Sequence, residues 1–229
     1  MSRLFSVAAS LLCAAVFSGA QRGSLPANVV TGRVSCANLI YAVNKSSVCF
    51  SDRFLRRLSL ETKIETEPKF RKVRLDDAAG LSNHPFAIMT GEGGFQLTER
   101  ERINLRYYLR NGGFLVASAG CSSPEWIRSF RREFSLLFPG GALSKLSLDH
   151  PAFRTVYAVK SLQTTHGGRR GAAGAQLEGY AVNGRLALVF SPDGLNDTAH
   201  AENCCCCGGD EIANAEYINV NLLAYALLH

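Results

Sequence analysis

Two short apolar runs, each closing on a glycine- or serine-rich stretch and each followed by a helical pattern, constrain the fold of this chain most. Residues 85–90 (PFAIMT) run into Gly91-Glu92-Gly93-Gly94, and residues 114–117 (FLVA) run into Ser118-Ala119-Gly120-Cys121-Ser122-Ser123. Runs without apolar/polar alternation suit strands covered on both faces, which is the burial of a parallel sheet clad in helices. After the first run, Thr98-Glu99-Arg100-Glu101 fits a capping box, and Leu105, Tyr108 and Leu109 continue one apolar face until Asn111-Gly112-Gly113 stops it. After the second, Ser123 caps and Pro124 opens a helix whose Ile127, Phe130, Phe134 and Leu137 face the core.

The flanking segments extend the same pattern. Residues 37–43 (ANLIYAV) predict a buried strand, and Ser51 predicts the cap of a helix carrying Phe54, Leu55 and Leu58. The basic stretch 70–75 suits an edge strand, where charge discourages pairing with other chains. Residues 177–182 and 185–190 flank Asn183-Gly184 as a hairpin. A last helix is predicted from about Glu211 to Leu228, capped by Asp210, with Ala215, Ile218, Leu222 and Tyr225 on one face. Together these elements predict an α/β protein, a three-layer α/β/α sandwich with a mostly parallel sheet.

Residues 1–20 read as a secretory signal: Arg3, an apolar stretch over 4–17, then Ser18-Gly19-Ala20. Residues 21–36 form a lead-in and 37–229 one domain. The expected location is therefore exported, periplasmic or secreted, with no transmembrane helix left after cleavage. Of 229 residues, 25 are Lys or Arg and 19 Asp or Glu, a formal charge of +6. Envelope proteins or anionic polymers are the expected partners; no reading motif accompanies the charge, so nucleic acid is not expected. The glycine- and arginine-rich stretch 166–174 is a weak phosphate-cradle candidate and reads better as a mobile insertion.

The motifs over residues 85–94, 105–115 (LRYYLRNGGFL), 130–133 (FRRE), Leu148-Asp149-His150-Pro151, Leu177-Glu178-Gly179 and 219–227 (NVNLLAYAL), in that order, resemble the bacterial family catalogued as domain of unknown function 4159. The resemblance implies the flavodoxin-like, three-layer fold of class I glutamine amidotransferase-like proteins and no settled activity. Such enzymes place a nucleophilic cysteine in a Gly-x-Cys-x-Gly elbow between strand and helix. Cys121 holds the corresponding place, but Ala119 and Ser123 stand where the pattern has glycine, and His150 is followed by Pro151 where a His-x-Glu pair is usual.

Four consecutive cysteines, Cys204, Cys205, Cys206 and Cys207, have no packing rationale. Adjacent Cα atoms lie about 3.8 Å apart, below the usual disulfide range, so their partners should come from elsewhere. Disulfide stapling, with Cys36 and Cys49 as the simplest separate pair, competes with a zinc or copper site recruiting His200 or Cys121, and with redox use. Beyond the carboxyl ends of the strands, Thr90, Gly91, Glu92, Gly93, Cys121 and Asp193 should border a ligand crevice. The chain thus reads as an exported, noncatalytic binding or interaction module whose cysteine cluster holds metal or is disulfide-stapled. Two alternatives stay open: an amidotransferase-like cysteine hydrolase using Cys121, and a thiol redox protein using Cys204 to Cys207.

Overall fold

The computed structural model describes residues 32–165, 174–204 and 210–229. Its strands are β1 (Cys36–Ile40), β2 (Arg71–Arg74), β3 (Phe86–Gly91), β4 (Phe114–Ala119), β5 (Ser144–Lys145), β6 (Glu178–Val182) and β7 (Arg185–Ser191). The helices are α1 (Arg53–Glu61), α2 (Ala78–Ser82), α3 (Glu99–Arg110), α4 (Pro124–Leu137) and α5 (Ala215–Leu228). All seven strands form one sheet in the order β2-β1-β3-β4-β7-β6-β5. The pairings from β2 through β7 are parallel; β6 and β5 add on antiparallel.

Alternation along the strands divides the core. Cys36, Ile88, Phe114 and Val116 pack with Leu55, Leu58 and most of α5, while Ala37, Leu39, Met89 and Leu115 pack with Leu105, Phe130 and Phe134. Helices α1 and α5 therefore cover one face and α3 and α4 the other, giving the expected sandwich. Its central strands are buried along their whole length, as their unbroken apolar runs require.

Local signals act where they were read. Thr98 and Glu101 complete the capping box of α3, and Ser123 accepts the Trp126 amide at the start of α4. Asn183 and Gly184, at φ 52° and 80°, make the hairpin turn. The basic strand β2 is an edge of the sheet.

Three expectations change. Helix α1 has Asp52 at its N-cap position, and Ser51 Oγ instead accepts the Arg53 amide at 3.2 Å. The hairpin's second strand is also central, because β7 pairs in parallel with β4. Helix α5 starts at Ala215 rather than near Glu211, since Glu211 and Ile212 are held in an extended contact with Thr164 and Thr165. The signal stretch 1–20 and the glycine-rich stretch beginning at His166 lie outside the described residues, apart from Gly174.

Candidate functional site

Each of the three central apolar runs ends on one hydroxyl residue. Thr90 pairs with Ser118 across β3 and β4, and Ser118 with Ser191 across β4 and β7. Two residues after Ile88, Val116 and Val189, they point to the face covered by α1 and α5. All three are fully buried.

The chain leaving β7 folds back over this row, and residues 191–197 are buried throughout. Asn196 is its centre: Nδ2 donates to the Cys49 carbonyl at 2.7 Å and to Thr90 Oγ1 at 3.0 Å, while Oδ1 accepts from Ser118 Oγ. The Leu195 amide donates to Ser118 Oγ at 2.7 Å, and Asn219 of α5 donates to the Leu195 carbonyl at 2.9 Å. Ser191 Oγ and Asn219 Oδ1 are buried without a partner among the described residues.

A second plug fills the place between β1 and β3, where the direction of sheet growth reverses and an open α/β sheet usually holds its ligand. Tyr41 Oη donates to the Thr90 carbonyl at 3.1 Å and accepts from Trp126 Nε1 at 2.7 Å. A Cβ at Gly91 would lie 2.6 Å from that hydroxyl, so the position excludes larger residues. Burial pushes the Tyr41 phenol well above its ordinary value, opposed by the Trp126 hydrogen bond, so it stays a neutral donor. Lys45 Nζ straps the rim by donating to the Glu92 carbonyl at 3.1 Å.

Backbone strain collects at this same edge. Ala42 (φ 46°) and Val43 (φ 74°) follow β1, Cys121 (φ 50°) and Ser122 (φ 49°) follow β4, and Asp197 (φ 52°) and Asn203 (φ 59°) follow β7. Among the described non-glycine residues with positive φ, only Asn183 lies elsewhere. A β-branched residue in this region is a genuine outlier, and such strain clusters where function demands it.

The model of the family described as Domain of unknown function (DUF4159) matches residues 36–227, a span that includes all seven strands. The chain belongs to the DUF4159 family. No curated protein matches it.

In this DUF4159 domain the cysteines pair differently from the expectation. Cys49 is bridged to Cys204, with Cα atoms 4.8 Å apart, and Cys36 is a free, buried thiol. The simple Cys36–Cys49 pair fails on distance. Cys49 lies at the level of Thr90, whereas Cys36 begins β1 four residues lower, about 13 Å away at the usual strand rise. Burial, chiefly, raises the Cys36 thiol far above its ordinary range.

Cys121 is disulfide-bonded as well, and its sulfur sits 3.1 Å from Glu92 Oε1. A disulfide sulfur has no proton to donate, so this is a close contact and not a hydrogen bond.

The bridge removes Cys204 from any thiolate set, and His200 turns to Asp197 Oδ1 at 2.8 Å. Cys205, Cys206 and Cys207 lie outside the described residues. Among the described residues no three His, Cys, Asp or Glu are arranged to hold a metal.

The structure does bring Thr90, Gly91, Glu92, Gly93, Cys121 and Asp193 to one edge. Asp193 Oδ2 accepts the Gln176 amide at 3.1 Å. Asp197 is buried with Oδ2 unpartnered among the described residues, and desolvation raises its carboxyl although His200 opposes the shift. Ser118, Ser191, Asn196 and Asn219 were not among the individual residues expected at the site. A signal existed for the first two, since each closes an apolar run as Thr90 does.

Proposed function

We propose that this DUF4159 chain is an exported binding module of the cell envelope, periplasmic or secreted, in which the cysteine run serves as a disulfide staple. The observation that carries the reading is the Cys49–Cys204 bridge, which ties the segment after β1 to the segment after β7. Such bridges persist in oxidising compartments, in keeping with residues 1–20 acting as a secretory signal. The +6 charge favours envelope proteins or anionic polymers as partners.

A noncatalytic role is supported by the plugged edge. Asn196 and Tyr41 occupy the places that a substrate would need, and both are held by hydrogen bonds within the fold. For the amidotransferase-like alternative, Cys121 would have to be reduced first. Its thiol would then lie beside Glu92, whose negative charge disfavours the thiolate a nucleophile needs. Kinship with class I glutamine amidotransferases is, on this reading, one of scaffold and not of chemistry.

Protein recovered from its native compartment should be alkylated before reduction and mapped by mass spectrometry. The module reading expects a Cys49–Cys204 linked peptide and no stoichiometric zinc or copper. Alkylation of Cys49 and Cys204 without reductant, or one bound metal per chain, overturns it.

A further inference from the structure

The bridge brings together two stretches that line a groove on the α1 side of the β1–β2 edge: Ser47, Val48 and Phe50 from one, and Glu202 and Asn203 from the other. The groove is open to solvent and holds about 200 Å³, enough for a group the size of one amino-acid residue.

Its polar groups are unevenly used. Lys69 Nζ is committed, 3.2 Å from Asp52 Oδ2 and 3.0 Å from Glu202 Oε1, so that both carboxylates have a cation. Lys72 makes no ion pair among the described residues. On β2 it pairs in register with Asn38 of β1, so the two side chains share a face. Asn38 is only 6% exposed; its Nδ2 donates to the Ser47 carbonyl at 2.9 Å, and its Oδ1 has no partner among the described residues. A buried amide oxygen left this way is costly and asks for a donor. Val48, Phe50 and Phe70 supply an apolar wall beside them.

An ammonium without a carboxylate, a carbonyl without a donor and an apolar wall together describe one ligand chemistry. We propose that this groove binds the carboxyl end of an apolar α-amino acid, free or as the last residue of a peptide. The carboxylate meets Lys72, the adjacent N–H meets Asn38 Oδ1, and the side chain lies against Val48, Phe50 and Phe70. This names a ligand class for the binding-module reading and rests on it.

The test is a titration of the oxidised full chain, followed by amide chemical shifts, with leucine, N-acetylleucine and leucinamide. Saturable shifts at residues 38, 47–50 and 72 are expected at millimolar concentrations of one or both acids, with little response to leucinamide. N-acetylleucine binding more tightly than leucine identifies a peptide terminus as the source; the reverse identifies the free amino acid. Lys72→Met, an exposed change that leaves the core untouched, should weaken binding at least tenfold.

Shifts of equal size with leucinamide, no saturable shift with either acid, or full affinity in Lys72→Met overturn the proposal. With the Cys49–Cys204 peptide intact, such a failure removes only this ligand and leaves the module reading standing.

Discussion

The two ends of the parallel strands are built by different rules. At the amino end, left-handed positions are held by residues suited to them: Asn183 and Gly184 in the hairpin, and Gly112 (φ 96°) where α3 gives way to β4. At the carboxyl end the same conformation is imposed on Ala42, Val43, Cys121 and Ser122, beside a disulfide and a row of buried hydroxyls. The first end is paid for locally; the second persists because its surroundings over-determine it. Strain, a crosslink and buried polar groups thus gather at one edge of an otherwise uniform sheet.

Removing the bridge should cost most. Cys49→Ser/Cys204→Ser frees a crosslink of sequence separation 155, and chain entropy puts the loss at about 5 kcal/mol in urea unfolding. Asn183→Ala at the other end should cost no more than about 1 kcal/mol, because only a tolerant turn residue is lost. Equal losses would end the distinction between the ends.

Asn196→Leu comes next. It strips partners from Thr90, Ser118 and the Cys49 carbonyl, for about 3 kcal/mol in the same assay. A loss under about 1 kcal/mol would mean that water replaces the plug without penalty.

Val43→Gly should move stability the other way, by about 1 kcal/mol, since an exposed β-branched residue leaves a region glycine enters freely. A destabilised variant would show that the turn is not strained.

The smallest effect concerns Asp197. Burial raises its folded pKa above the usual carboxyl value of about 3.9, so the folded state takes up the proton first. Its contribution to stability therefore grows as pH falls from neutral through that raised value, and is complete below the unfolded one. Measured against Asp197→Asn, wild type should gain stability on acidification from neutral to about pH 4. A pH-independent difference would mean that the pair with His200 cancels the burial.

What the sequence made legible is what local chemistry decides. The runs at 85–90 and 114–117, the Thr98 capping box, the Ser123-Pro124 start and the Asn183-Gly184 turn each act within a few residues, and each is where it was expected. What stayed hidden depends on partners far along the chain. Nothing near Cys49 announces Cys204, nothing near Asn196 announces Thr90 or Ser118, and β7 reads as a hairpin arm because its pairing with β4 spans some seventy residues. The residues expected to border a crevice lie at one edge of the sheet, while the side chains that occupy that edge come from elsewhere in the sequence.

Helix α5 carries a further implication, one of timing. It is buried nearly all round and supplies Ile218, Leu222 and Tyr225 to the core under β3, β4 and β7. A chain emerging amino end first therefore displays those strands with one apolar face bare until residues 215–228 arrive, and Cys49 must wait for Cys204. Until those residues join it, the sheet lacks the cover of one face. The half-finished sheet is an aggregation hazard for as long as that wait lasts.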